Sequence, residues 1–232
     1  MVGKFQQPFI VTFIGPVGVG KSTQIRLFQE YLKSKNVVVV RTFIKSNHAL
    51  TYFLSSFLKK LGISEKISNQ NGFSKVYPNR TVVRKLFSLW CLLDTISVAT
   101  KFLFTVSIPF HMGFAVLIEE GLPMSLYTYS VSLPNFFKTE PITLPVLPNL
   151  LGWVTGKTHL NIILDASEEE LDQRRKGRNY RQFESAEYIY LQKEWIKRLN
   201  FGDTVFIDTT NSSLVKVHEK IVEVVEKRVF QR

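Results

Sequence analysis

The sequence is nearly without cysteine, short of histidine and poor in acid. Its one cysteine, Cys91, can form no internal disulfide and excludes a multi-cysteine metal site. Phe, Leu and Trp neighbours mark Cys91 as a buried thiol, in keeping with a reducing, cytoplasmic compartment. Of the four histidines, His48, His111 and His159 lie beside apolar runs with no partner pattern, so a structural or surface role is expected of them. Only 19 Asp+Glu face 30 Lys+Arg, a net charge of +11, which favours polyanionic partners such as nucleotides, nucleic acid or an anionic surface. An apolar stretch at Phe102–Ile118 is broken by Pro109, His111 and Gly113. A membrane span wants about 20 unbroken apolar residues, so the reading is a buried helix followed by a buried strand. Met1–Pro8 is polar and reads as no secretory signal. There is no repeat and no low-complexity segment. With 45% hydrophobic and 21% charged residues, wholesale disorder is excluded.

What is present alternates. Apolar strand-sized runs at Phe9–Ile14, Val37–Ile44, Phe114–Ile118, Leu160–Leu164 and Val205–Ile207 are separated by helical spacing. The helices are expected at Thr23–Lys33, Leu50–Leu61, Thr81–Phe104, Ser167–Arg175, Glu184–Leu199 and Asn211–Arg228. Ser167 with Glu170 three residues on is a capping-box pattern. Ile63–Pro78 is polar and reads as a loop or short excursion. Residues 123–148 hold five prolines and read as irregular, with short helices at most. Buried strands alternating with helices predict an α/β fold: a parallel sheet with helices on both faces, in one domain spanning residues 1–232.

After the first strand run comes Gly15-Pro16-Val17-Gly18-Val19-Gly20-Lys21-Ser22-Thr23, which fits the phosphate-loop pattern G-x-x-x-x-G-K-[ST]. At average glycine usage a chance match in such a chain is about one in a hundred. A strand lies before it and a helix after it, as the chemistry requires. Glycines let backbone N–H groups turn inward as an anion nest, and the helix adds its positive end. Lys21 is expected on the β- and γ-phosphates and Ser22 on Mg²⁺.

Three further sets of residues fit that chemistry. Val116–Ile118 runs into Glu119-Glu120, where an acid that orders Mg²⁺ or serves the acceptor belongs. Arg174, Arg175, Lys176, Arg178 and Arg181 crowd a Gly-containing segment, suited to a lid over about 168–183 that closes on a triphosphate. Asp94 stands alone in an apolar helix, either as a substrate-site acid or as a satisfied structural group. Arg84, leading into that helix, is a candidate for an acceptor's phosphate.

With Thr23-Gln24 the loop reads Gly-Lys-Ser-Thr-Gln, and the chain resembles the thymidylate kinase branch of the P-loop nucleoside monophosphate kinases. The resemblance continues at Leu164–Arg175 and at Ile207-Asp208-Thr209-Thr210 with the helix beyond it. It is specific over roughly residues 9–34 and 160–228 and weak between them. It implies a P-loop kinase sandwich with a five-stranded parallel sheet ordered 2-3-1-4-5, ATP as donor, Mg²⁺ as cofactor and dTMP as acceptor. It further implies catalysis by Lys21, Arg174, Arg175, Arg178, Glu119 and Glu120, and metal binding by Ser22 and Glu119. Residues 15–23, Arg174, Arg178 and Asp208 would hold ATP. Arg41, Arg84, Asp94 and Glu120 would hold the acceptor, helped by insertions at about 45–85 and 122–158. Two departures stand out: Gly121 occupies the place of the family's Arg after the acid, and Arg41 is not followed by Glu-Pro. Homodimers are common in this family, and the apolar helix 86–104 offers a surface for one. Neither a membrane nor stable nucleic acid is expected as partner. Two other readings stay open: an acceptor that is a free nucleoside (with Glu119 as base) or a non-nucleotide, and a nucleotide-dependent module acting on nucleic acid.

Overall fold

The computed structural model describes residues 7–46, 49–68, 74–142, 145–177, 186–198 and 202–230. In chain order the strands are β1 (Ile10–Ile14), β2 (Val39–Ile44), β3 (Ser64–Ser68), β4 (Ser74–Pro78), β5 (Ala115–Glu120), β6 (His159–Asp165) and β7 (Thr204–Asp208). The helices are α1 (Lys21–Ser34), α2 (Ala49–Lys60), α3 (Arg80–Lys85), α4 (Phe87–Phe102), α5 (Ile108–His111), α6 (Gly121–Tyr127), α7 (Leu133–Phe137), α8 (Val146–Thr155), α9 (Glu168–Gly177), α10 (Ala186–Lys197) and α11 (Leu214–Val225).

Five strands form one parallel sheet in the order β2-β5-β1-β6-β7. Counting those five alone, the order is 2-3-1-4-5, as expected. β1 is buried along its whole length, which is why all five of its residues are apolar or Thr. Its two faces feed separate cores. Val11 and Phe13 pack with Phe28 and Leu32 of α1 and Ile221 and Val225 of α11. Ile10 packs with Trp90, Val98 and Phe102 of α4 and Leu151 of α8. Such alternation follows from the two-residue period of a strand covered on both sides.

Several local expectations are corrected. The polar segment after α2 is an antiparallel hairpin of β3 and β4 and belongs to a separate small sheet. Polar residues there hid a strand signal, because the hairpin does not enter the main core. The single helix expected over 81–104 is two: Asn79 caps α3 by accepting from the N–H groups of Thr81 and Val82, and the chain re-enters helix at Phe87. The second helix does not stop at Pro109. A π-turn at Leu103–Ser107 absorbs the residue without an N–H, with Ile108 N–H reaching back to the Leu103 carbonyl. The resulting Phe87–His111 helix has a mean hydropathy of 1.5 and is long and apolar enough to cross a membrane. Its inner face, including Phe87, Trp90, Cys91, Val98 and Phe102, is in the core. The proline-rich segment ends in α8, whose Leu147, Leu151 and Val154 are buried.

For function, the decisive feature is β5 lying between β1 and β2. Glu119 is in register with Phe13 on one side and Phe43 on the other. The carboxyl ends of three strands therefore meet at the turn after β1, the usual crevice of an open parallel sheet.

Candidate active site

The turn after β1 is built by close approach. A Cβ on Gly15 would lie 2.2 Å from the Leu164 carbonyl oxygen, so only glycine fits against β6. Gly20, at φ 101°, is the residue before α1, and no side chain caps that helix. Thr23 N–H turns back to the Gly20 carbonyl at 3.1 Å, and the N–H groups of Lys21 and Ser22 stand at the positive end of the helix, where an anion would bind.

Lys21 is buried and engages all three ammonium protons. It donates to the carbonyls of Gly15 (2.7 Å) and Pro16 (3.0 Å) and pairs with Glu120 Oε1 at 3.0 Å. The neighbouring Ser22 hydroxyl donates to Glu119 Oε1. Glu119 Oε2 in turn accepts from Arg41 at 3.0 Å. Each of the two carboxylates therefore answers one functional side chain of the loop. Consecutive strand residues normally face opposite sides. Here Glu120 adopts φ 72°, ψ −63°, and Gly121 follows at φ 76°, so the strand end curls and both acids reach the loop. Glu120 Oε2 is buried without a partner among the described residues.

The arginines come from α9. Arg174 is held by Glu170 at 2.9 Å, and its two terminal nitrogens bond Thr209 Oγ1 (3.0 Å) and the Thr209 carbonyl (2.8 Å). It thereby links the loop side of the crevice to the β7–α11 turn. The Arg175 stem packs over Gly18, where a Cβ would come within 3.2 Å of its Cγ. Its Nε donates to the Leu171 carbonyl and Nη2 pairs with Asp172, while Nη1 is buried with no partner among the described residues. An anion in the crevice would satisfy that donor.

Two hollows flank the loop. One of about 260 Å³ lies between Val17, Gly18, residues 20–23, Glu119, Glu120, Arg174 and Arg175, with Phe43 of β2 and Lys45 just after it. The other, about 280 Å³, lies on the α11 side and is lined by Gln24, Glu170, Arg174, Thr209, Ser212 and Leu214 among others. A hydroxyl and a carboxylate in contact at Ser22–Glu119 are the hard oxygen donors Mg²⁺ takes. Among the described residues no group of three or more His, Cys, Asp or Glu could hold a metal.

Residues 15–23, Glu119, Glu120, Arg41, Arg174 and Arg175 are thus brought together. Three expected site residues are not. Asp94 is fully buried and satisfied by Thr51 Oγ1 (2.9 Å) and the Tyr129 hydroxyl (2.6 Å), and it lines neither hollow. Burial and the Asp94 charge push the Tyr129 hydroxyl far up from its ordinary value, so it stays a proton donor. Arg84 is exposed on α3, away from both hollows. Asp208 caps its own turn by accepting from the Thr210 N–H at 2.8 Å, and Thr210 holds its carboxyl below the ordinary range. The α11-side hollow is lined instead by Thr209. Arg178 and the end of the expected lid, residues 178–183, lie outside the described residues, as does His48. Sequence reasoning missed Phe43 and gave Lys45 no firm role. Arg41, Phe43 and Lys45 are spaced by two, so a strict reading of strand alternation would have kept them together.

Gly121 also explains the missing arginine. A Cβ there would sit 2.6 Å from Thr12 Cγ2 at a backbone angle suited to glycine, so with Thr12 in place the position favours glycine and not arginine.

Comparison with known proteins identifies the fold. No family model matches the chain. Thymidylate kinases from two strains of Rickettsia bellii, OSU 85-389 and RML369-C, are each 46% identical to it over 41 residues, which is 18% of this chain. The chain spans about a fifth of the length of these curated relatives, 20% in each case. Among solved structures it is similar to the thymidylate kinase of Candida albicans, with a TM-score of 0.59 and 15% identity over 97% of this chain and 94% of that one. The thymidylate kinase of Ehrlichia chaffeensis aligns with a TM-score of 0.53 and 16% identity over 95% of this chain and 99% of the other. The fold is that of the thymidylate kinases.

Proposed function

We propose that this chain, which has the thymidylate kinase fold, is an ATP-dependent nucleoside monophosphate kinase acting on dTMP. The observation that carries the reading is the pairing of Lys21 with Glu120 and Ser22 with Glu119 at the mouth of a glycine-built, uncapped helix start. That arrangement suits a triphosphate with its metal and little else. Ser22 and Glu119 would hold Mg²⁺, which would supply charge neutralisation to the transferring phosphate. Lys21 releases the Gly15 and Pro16 carbonyls and takes up the β- and γ-phosphates. A phosphate oxygen of the acceptor forms a bond to the γ-phosphorus as its bond to the β–γ bridging oxygen breaks, leaving ADP. Arg174 and Arg175 stabilise the charge on the migrating group, which is most of what such catalysis requires. The acceptor enters beside Arg41, Phe43 and Lys45. We place the enzyme in the cytoplasm.

One observation favours keeping a second acceptor class in view. Gly121 cannot carry the arginine that the resembled family has beside its acid, and Glu119, held by Ser22 and Arg41 at the strand end, is the carboxylate that would act as base toward a nucleoside hydroxyl. A panel of nucleosides and nucleoside monophosphates, read by ADP release, separates the two. Phosphorylation of dTMP at least ~10-fold above any free nucleoside is the expected result, a difference of about 1.4 kcal/mol in transition-state binding. Turnover confined to free nucleosides would reject the monophosphate reading.

The partner is a second copy of this chain. α2, Leu61 just after it, and the outer side of α4 with its π-turn expose Phe53, Phe57, Leu61, Leu89, Leu92, Ile96, Leu103 and Phe104, each between 45% and 68%. At roughly 150–200 Å² per side chain, about half of it exposed, this is on the order of 700 Å², near the ~800 Å² per partner of a standard interface. It exceeds the usual largest patch of a monomer, about 300–600 Å². Light scattering behind size exclusion is expected to show a dimer, and Leu92→Lys a monomer. A wild-type monomer at ~50 μM, about 50-fold above a micromolar dissociation constant, would overturn this.

A further inference from the structure

Thr12 is a polar residue in the middle of a buried strand, on the face that turns toward Phe102, Ile118 and Leu122. A hydroxyl in such a place needs a partner. It has one in His159 Nε2, at 3.1 Å on the adjacent strand β6, and both residues are almost fully buried. A hydrogen bond on one branch of a β-branched side chain fixes the other branch. The fixed branch, Cγ2, lies where a Cβ of Gly121 would be only 2.6 Å away. Gly121 is the second residue of the curled strand end, after Glu120 at φ 72°. A non-glycine residue in that region persists only when its surroundings hold it there. Lys21 holds it from the crevice side, through the Glu120 ion pair. Thr12 stands behind it.

We infer that Thr12, its rotamer set by His159, is a positioning residue: its methyl braces Gly121 so that Glu120 and Glu119 both stay aimed at Lys21 and Ser22. This rests on the kinase reading above and adds to it a residue outside the crevice. Thr12 touches no substrate. Without its methyl the turn relaxes toward ordinary strand geometry and the two carboxylates part. The glycine loop, the helix start and Arg174 are untouched, so ATP is still captured while the chemical step suffers.

The test uses Thr12→Ser, which keeps the hydroxyl, Thr12→Val, which keeps the methyl, Gly121→Ala, and the double Thr12→Ser/Gly121→Ala, which moves the methyl from one side of the contact to the other. A misplacement of about 1 Å can cost ~100-fold. On that scale kcat is expected to fall ~10-fold in Thr12→Ser with the KM for ATP within ~3-fold, and ~100-fold in Gly121→Ala. Thr12→Val is expected within ~3-fold of wild type, and the double variant is expected to regain ~10-fold over Gly121→Ala. A double variant no better than Gly121→Ala, or Thr12→Val as slow as Thr12→Ser, overturns the inference. If Gly121→Ala does not fold, the Ser and Val pair decides it. If wild type binds ATP but serves no acceptor, the kinase reading falls instead. The same variants are then read by how much Mg²⁺ tightens ATP binding, with ~10-fold of that gain expected to be lost in Thr12→Ser alone. An equal gain in Ser and Val would again count against it.

Discussion

Lys21→Ala is expected to lose ATP turnover by ~1,000-fold and, separately, to lower the melting midpoint by about 10 °C. The first effect follows from the role proposed for it on the β- and γ-phosphates, since one preorganised charge at such a centre is worth ~100–1,000-fold. The second follows from what is left behind. Glu120 is 4% exposed, and its Oε1 has Lys21 at 3.0 Å. Removing one member of a buried pair strands the other charge and costs about 3–5 kcal/mol. In a domain of this size each kcal/mol is worth roughly 2–4 °C. Adding Glu120→Gln to Lys21→Ala should restore most of the midpoint and none of the turnover. Thermal denaturation and an ADP-release assay on the single and double variants read the two effects apart. Retained turnover in Lys21→Ala would end the mechanism, and a double variant as labile as the single would end the account of its stability.

His159 makes the second large effect, on stability against pH. It is buried beside Thr12, and burial lowers its pKa from 6.5 to about 4, with Asp203 opposing weakly. Above pH 6.5 both folded and unfolded chains hold it neutral, so its contribution is complete. Between pH 6.5 and about 4 the unfolded chain takes a proton that the folded chain refuses, and stability is lost. Below about pH 4 both are charged and the loss stops growing. The span of the shift corresponds to about 3 kcal/mol. Urea denaturation from pH 7.5 to 4 should therefore show a decline that His159→Gln, which titrates nowhere in this range, flattens by about that amount. Parallel curves for the two proteins would show that His159 does not govern the slope.

Much of the site was legible because it is local. Glycine spacing, a strand before and a helix after are all contained in residues 9–34, and physical chemistry reads them without a fold. The strand order followed from resemblance and agrees with the sheet observed. The acids at 119 and 120 were legible as a strand end, though not their joint aim, which depends on one unusual backbone angle at Glu120. Asp94 and Arg84 misled for the opposite reason. A lone carboxylate in an apolar helix looks like a site until Thr51 and Tyr129 are seen to close around it, 43 and 35 residues away. An exposed arginine looks available until its helix is seen to face elsewhere.

By itself, then, the order of residues determined the glycine-built turn after the first strand and the alternating class of fold, since both depend on neighbours within a few turns of chain. Tertiary structure alone decided which side chains meet. β5 slides between β1 and β2 and sets Glu119 between Ser22 and Arg41, 97 and 78 residues off, and Thr12 comes to lie behind Gly121 with His159 holding it. Such meetings depend on sheet order and strand register, which act between segments far apart along the chain, and no local pattern encodes them.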